Sequence, residues 1–182
     1  MDTTFNYMRF EKISKYQNDP DVRLPQRKTV ASAGYDFYVA EDIIIPSYNE
    51  ISYDFTGDIA RAYDLEHVAS MIKAMGRKVT LVPTGIKACM PENWYLQLSV
   101  RSSLSLKHWL ILGNGVGIID ADYYNNPDNE GHIFFQIINL LPCAVQLHKG
   151  DCIGQGVFLN YGTTIDDDVT EKRIGGFGST DK

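Results

Sequence analysis

From Trp94 to Val100 the chain alternates without a break, with Trp94, Leu96, Leu98 and Val100 on one side and Tyr95, Gln97 and Ser99 on the other. A side-chain period of two is what a strand with one buried face requires, and a helix cannot sort such a pattern onto one side. Similar short runs recur at Phe37–Val39, Ile43–Ile45, Val79–Val82, Ile133–Ile138, Ala144–Leu147 and Cys152–Leu159. Turn chemistry separates them: Pro46-Ser47, Pro83-Thr84-Gly85, Pro91-Glu92-Asn93, Asn125-Asn126-Pro127-Asp128 and Lys149-Gly150-Asp151. Many short strands at this spacing predict an all-β barrel or sandwich. A chain of 182 residues fits one such domain and can bury a sizeable core.

One segment departs from that rhythm. Between Asp58 and Gly76 the residues Ile59, Ala62, Leu65, Val68, Ala69, Ile72 and Met75 recur at helical spacing. Asp58 reads as an N-cap and Gly76 as a stop, while Lys73, Arg77 and Lys78 suit the negative end of the dipole. The pattern predicts a single amphipathic helix, about residues 58–77, inserted in a β-protein and packed over one side of it. The end of the chain changes character again. An acidic run (Asp166, Asp167, Asp168) leads into Arg173-Ile174-Gly175-Gly176-Phe177-Gly178-Ser179-Thr180. Glycines with few apolar neighbours cannot form a packed element alone. Residues 1–159 are therefore read as the folded domain and 160–182 as a flexible arm, or else a frayed terminus. The lone Phe177 in that arm is read as a group that stacks on something.

Composition excludes several classes of function. The net charge of −6, from 17 basic and 23 acidic side chains, argues against a broad nucleic-acid footprint, though a small anion needs only a few local donors. Cys89, Cys143 and Cys152 are widely spaced, contain no CxxC and read as reduced thiols. The start MDTTFNYMRFEK has no apolar h-region and no stretch reaches transmembrane length, so the expectation is a cytoplasmic protein without a membrane partner. Zinc deamination requires His-x-Glu with Pro-Cys-x-x-Cys, whereas here Cys152 is the next cysteine after Pro142-Cys143 and no His-x-Glu occurs. His67, His108, His132 and His148 show no ligand spacing and read as structural or surface residues. The tail GGFGST has neither the Lys nor the following helix of a phosphate-binding Walker loop.

Two clusters could carry chemistry. Gly113, Gly115 and Gly117 permit close backbone approach to a ligand, and Gly117-Ile118-Ile119 reads as a hairpin arm whose amides could face a flat polar ring. Asp120 and Asp122 follow at a turn, where Asx capping competes with catalysis as their role. The second cluster, Arg101-Ser102-Ser103 at the end of a strand, offers a guanidinium fork and hydroxyls to phosphate oxygens, or else a serine-capped strand end with a solvated arginine.

Taken in order, these clusters resemble the five signature motifs of the trimeric dUTP pyrophosphatases (dUTPases). Ala33-Gly34-Tyr35-Asp36-Phe37 resembles the first, Arg101-Ser102-Ser103 the second and Asn114 through Tyr123 the third. Gly150-Asp151-Cys152-Ile153-Gly154-Gln155 resembles the fourth, and Arg173 with Gly175 through Thr180 the fifth. The resemblance implies a jelly-roll-like β-barrel, a homotrimer with active sites between subunits, and magnesium-dependent hydrolysis of dUTP to dUMP and pyrophosphate. Such an activity keeps uracil out of DNA and supplies dUMP for thymidylate synthesis. It further implies Asp120 as general base, Asn114 and the Gly117–Ile119 backbone reading uracil, and Tyr123 against the deoxyribose. Arg101, Ser102, Ser103 and Gln155 would hold the triphosphate, and Asp36 would reach Mg2+ through water. A neighbouring subunit's arm would bring Phe177 over the uracil and Arg173, Ser179 and Thr180 near the γ-phosphate.

Three departures from the common pattern are similar to variants from Gram-positive bacteria and their phages: the insert at 58–77, the Asn-rich 125–132 segment, and one residue fewer between Arg173 and the glycine pair. The insert and the 125–132 segment could serve a regulatory protein partner. The rival readings are a dCTP deaminase-type relative, which shares an Arg-Ser-Ser-like motif, and a regulatory protein on the dUTPase fold.

Overall fold

The computed structural model of the chain describes residues 8–48, 79–171, 173, 175 and 176. The helix expected over about 58–77 lies outside the described residues, as do Phe177, Ser179 and Thr180 of the arm.

Among the described residues the strands are β1 (Arg9–Lys12), β2 (Tyr35–Tyr38), β3 (Ile43–Ile45), β4 (Thr80–Pro83), β5 (Ile86–Cys89), β6 (Trp94–Val100), β7 (Leu110–Leu112), β8 (Gly117–Asp120), β9 (Phe134–Asn139), β10 (Val145–Leu147) and β11 (Cys152–Asn160), with one α-helix, α1 (Ser102–His108). They pair antiparallel in the orders β2-β11-β6-β8, β4-β9-β7, β1-β5 and β10-β3. Alternation sets the inward face of each strand. Leu96 and Leu98 are buried in β6 where Tyr95, Gln97 and Ser99 are not, and Phe135, Ile137 and Asn139 are buried in β9.

The two larger sheets close on each other through aromatic rings, Phe37 of β2 and Phe135 of β9, with centroids 5.7 Å apart. Gly154 of β11 makes that closure possible. A Cβ at this position would stand 2.1 Å from Phe135 Cε1 and 2.5 Å from the Ser99 carbonyl oxygen, where no side chain can fit. Leu96, Leu98, Leu110, Ile133, Ile137 and Ile153 seal the core around the rings. Each such side chain contributes about 1.5–3 kcal/mol by leaving water. The architecture is the jelly-roll-like β-barrel that the resemblance implied.

The predicted spans at Ile43–Ile45 and Trp94–Val100 coincide with β3 and β6, and the other predicted runs lie on strands shifted by one or two residues. Three strands carried no readable signal. Leu110–Leu112 is continuously apolar, Ile86–Cys89 is pressed against the Pro83-Thr84-Gly85 turn, and Arg9–Lys12 holds one apolar residue. The stretch after Val100 requires a correction. The alternative reading of a strand end capped by serines gives way to α1, with Leu104 buried beneath it. Trp109 ends the helix in the left-handed region (φ 52°), its N–H directed at the carbonyls of Leu104 and Ser105. Two turns are too short for a 3.6-residue period to stand out.

Candidate active site

Among the described residues strand β8 lies at the edge of its sheet and pairs with β6 alone, in the register Leu98↔Gly117 to Tyr95↔Asp120. An edge strand leaves every second N–H and C=O unpaired on its outer side. Gly117 lets β8 approach β6 closely, since a Cβ there would be 3.0 Å from Leu98 Cβ. The preceding turn is built by Gly115 in the left-handed region (φ 73°), whose N–H donates to the Leu112 carbonyl at 3.2 Å. After Asp120 the chain makes one 3-10 turn, Ala121–Tyr123. These elements gather Asn114, Gly117, Ile119, Asp120 and Tyr123 around one pocket of about 170 Å3.

Four further residues line that pocket and were not singled out as site residues from the sequence: Leu98, His132, Phe134 and Gln136. The signal for two of them lay in the alternation. With Phe135 and Ile137 turned into the core, Phe134 and Gln136 face the opposite side of β9. His132 is buried, and its Nε2 accepts the Gly85 N–H at 2.9 Å. Burial first, then the positive charge of Lys15, hold its pKa down to about 4. It is therefore a neutral structural imidazole at pH 7, in keeping with the structural role its sequence context suggested.

The acidic pair at the end of β8 is gripped by the arm. Arg173 Nη2 donates to Asp120 Oδ2 at 2.5 Å and its Nε to Asp122 Oδ1 at 2.9 Å. Burial pushes the Asp120 carboxyl above the ordinary aspartate range, Arg173 pulls it back, and the Asp122 charge pushes it up again. The Tyr123 ring packs against Gly176, where a Cβ would fall 2.8 Å from its Cε2. Arg173 thus sits on the proposed base and its neighbour, away from Arg101.

A second pocket, of about 310 Å3, holds Arg101 and Ser103 at the head of α1 together with Asp151 and Cys152. It shares no lining residue with the first. Ser102 is exposed in the first turn of α1. Gln155 stands opposite Asp36 in the β11–β2 ladder, its side chain lying over Gly34, where a Cβ would meet Gln155 Oε1 at 2.4 Å. Asp36 is buried, and its Oδ2 has no hydrogen-bond partner among the described residues. Its charge acts on both Arg101 and Cys152, which places the three in one electrostatic neighbourhood. Burial first, then Asp36, push the Cys152 thiol up, so it stays protonated and is a poor nucleophile. The chain therefore presents two separate pockets, one lined by Arg101 and the other by Asp120.

Among the described residues no group of three His, Cys, Asp or Glu side chains could hold a metal ion, and no helix is long and apolar enough to cross a membrane. The Asp36 oxygen that lacks a partner among the described residues is the kind of hard oxygen donor that a hydrated Mg2+ accepts.

Comparisons with known proteins point the same way. A protein-family model described as dUTPase matches residues 58–181. The deoxyuridine 5'-triphosphate nucleotidohydrolase of Lactococcus lactis is 39% identical over 173 residues, covering 94% of this chain and 95% of the relative. That of Finegoldia magna is 31% identical, covering 93% of this chain and 96% of its own. The crystal structure of the dUTPase from Streptococcus mutans superimposes with a TM-score of 0.66 at 38% identity, covering 87% of this chain and 98% of that one. A dUTPase from phage phi11 of S. aureus shares the fold at 19% identity, with a TM-score of 0.61 over 91% of this chain and 97% of its own.

Proposed function

The chain belongs to the dUTPase family and hydrolyses dUTP to dUMP and pyrophosphate, and from this premise we propose how its residues divide that reaction. The observation that carries the reading is Asp120: a half-buried carboxylate at the end of an edge strand, opening on a narrow pocket walled by backbone and an aromatic ring. Unpaired groups of the Gly117–Ile119 backbone, with Asn114, meet the polar edge of uracil. Tyr123 packs against the deoxyribose and leaves no room for a 2′-hydroxyl. Asp120 takes a proton from a water molecule as the water oxygen bonds to the α-phosphorus. The bond from that phosphorus to its β-bridging oxygen breaks, and pyrophosphate leaves with the electron pair. A carboxylate that holds its proton more tightly than an ordinary aspartate is better matched to this task.

Phosphoryl transfer depends mostly on positioning and charge neutralisation. Arg101, Ser102, Ser103 and Gln155 hold the triphosphate, Arg101 through its planar fork. Bound to the phosphates, Mg2+ supplies further neutralisation, and Asp36 is the side chain whose free oxygen would reach its water shell. The working site is completed between subunits of a homotrimer, which brings the Asp120 pocket of one subunit together with the Arg101 pocket of another. Residues 160–182 act as an arm that closes it, with Phe177 stacked over uracil and Ser179 and Thr180 near the γ-phosphate. Arg173 exchanges Asp120 and Asp122 for that phosphate, since the same fork fits carboxylate and phosphate oxygens. The nucleotide chemistry requires no membrane and fits a cytoplasmic setting.

Replacing Asp120 tests the core of this assignment. Asp120→Asn should abolish pyrophosphate release from dUTP while leaving nucleotide affinity nearly intact. Turnover retained by that variant would remove Asp120 from the role of base.

A further inference from the structure

The Asn-rich segment after the acidic turn folds into a hydrogen-bonded buttress behind Tyr123. Asn126 is buried; its Nδ2 donates to the Tyr123 carbonyl at 2.8 Å and to Asn129 Oδ1 at 2.9 Å. Its Oδ1 accepts the N–H groups of Asp128 and Asn129, both at 3.1 Å. Asn129, oriented in this way, donates from Nδ2 to the Tyr123 hydroxyl at 2.8 Å, and the same hydroxyl donates to the His132 carbonyl at 3.0 Å. The phenol is thus held as both acceptor and donor at the end of the ring farthest from its backbone. The loop is itself tied down on both sides. Lys87 Nζ donates to Asn125 Oδ1 at 2.6 Å, and the Glu130 carboxylate accepts the Ser14 N–H and hydroxyl. Gly131, in the left-handed region (φ 82°), closes the turn where a Cβ would lie 2.6 Å from the Tyr123 carbonyl oxygen.

A wall excludes an extra hydroxyl only as far as it refuses to yield. Discrimination is a difference in transition-state binding, so the stiffness of the ring bears on the disfavoured substrate more than on the favoured one. We propose that Asn129, set in place by Asn126, is a positioning residue that locks the Tyr123 ring and thereby sets how strongly the site rejects a ribonucleotide relative to its 2′-deoxy counterpart. This inference rests on the placement of Tyr123 against the sugar. It gives the 125–132 segment a task within its own subunit.

The test compares kcat/KM for dUTP and UTP in the trimeric enzyme, using Asn129→Ala, Tyr123→Phe, their combination and Tyr123→Ala. Asn129→Ala should lower the dUTP/UTP ratio about three- to tenfold, the yield of one ordinary hydrogen bond, chiefly by raising activity on UTP. A loop that merely supported folding would change both substrates alike. In the Tyr123→Phe background Asn129→Ala should have almost no further effect, because the hydroxyl it acts through is gone. An unchanged ratio in Asn129→Ala, or an effect undiminished in the double variant, overturns the proposal. Should Asn129→Ala fail to fold, Tyr123→Phe tests the same lock from its other side, and an unchanged ratio there overturns it too. Tyr123→Ala separates the two layers of the reading. If it leaves the ratio intact, Tyr123 does not face the sugar and the underlying placement fails; if it collapses the ratio while Asn129→Ala does not, the buttress alone is refuted.

Discussion

Lowering the pH from 7.5 to 5 is expected to destabilise the protein through one buried imidazole, His132. Only 6% of this residue is exposed, and its Nε2 accepts the Gly85 N–H at 2.9 Å, a bond that a protonated ring cannot make. Its folded pKa is about 4, below the ordinary 6.5. The sign follows from where protons bind. Below pH 6.5 the unfolded chain takes up a proton that the folded protein refuses, so stability falls as pH falls. The loss ends near pH 4, where both states are protonated. At about 1.36 kcal/mol per pH unit of full difference, the penalty is roughly 2 kcal/mol at pH 5 and about 3 kcal/mol below pH 4. Against a domain stability of about 5–15 kcal/mol that is a large share. The control is His132→Gln, whose amide oxygen can still accept the Gly85 N–H but does not titrate. Urea unfolding without nucleotide, at one fixed protein concentration because assembly adds a mass-action term, would be measured at pH 7.5 and 5. The wild type should lose about 2 kcal/mol more than the variant between these two values. Equal losses in both proteins would show that His132 is not held neutral and would refute the argument.

Other expectations concern the arm, the core and the substrate. Truncation before Gly175 should leave a folded trimer by size-exclusion chromatography with badly reduced turnover; full activity would refute the closing arm. Arg173→Ala removes the charge that pulls the Asp120 carboxyl down, so the acid limb of residual kcat/KM should move to higher pH, and an unmoved limb would show that the ion pair is absent in the free enzyme. Gly154→Ala should destabilise the barrel by about 1–3 kcal/mol or more, because its Cβ collides with Phe135; a thermal melt equal to wild type would contradict the sheet closure described above. With dCTP the enzyme should release no ammonia, and its release would favour the deaminase reading.

Much of this protein was legible along the chain, and the residues show why. The β character followed from alternation in Trp94–Val100, since a period of two depends on neighbours in sequence alone. The family followed from motif order, and Asp120, Asn114, Gly117, Ile119 and Tyr123 do meet in one pocket because they are sequential residues of a turn, an edge strand and a 3-10 turn. Local chemistry is what a sequence displays best. Helix α1 escaped because two turns carry no clear period, and β7 because three leucine-like residues in a row fit strand or helix equally.

Tertiary structure decided the rest. Arg173 reaches Asp120 across 53 positions, and Gly154 is a glycine because of a ring from another sheet. His132 is neutral because the fold buries it beside Gly85. The Asn-rich segment hydrogen-bonds both the carbonyl and the hydroxyl of Tyr123, which its composition alone did not display. Each of these depends on which distant atoms share a desolvated space. Alternation and motif spacing determined the class of fold and the kind of chemistry, because both are written in neighbouring residues; partners, burial and proton affinity waited for the chain to close on itself, because they belong to pairs that the sequence holds far apart.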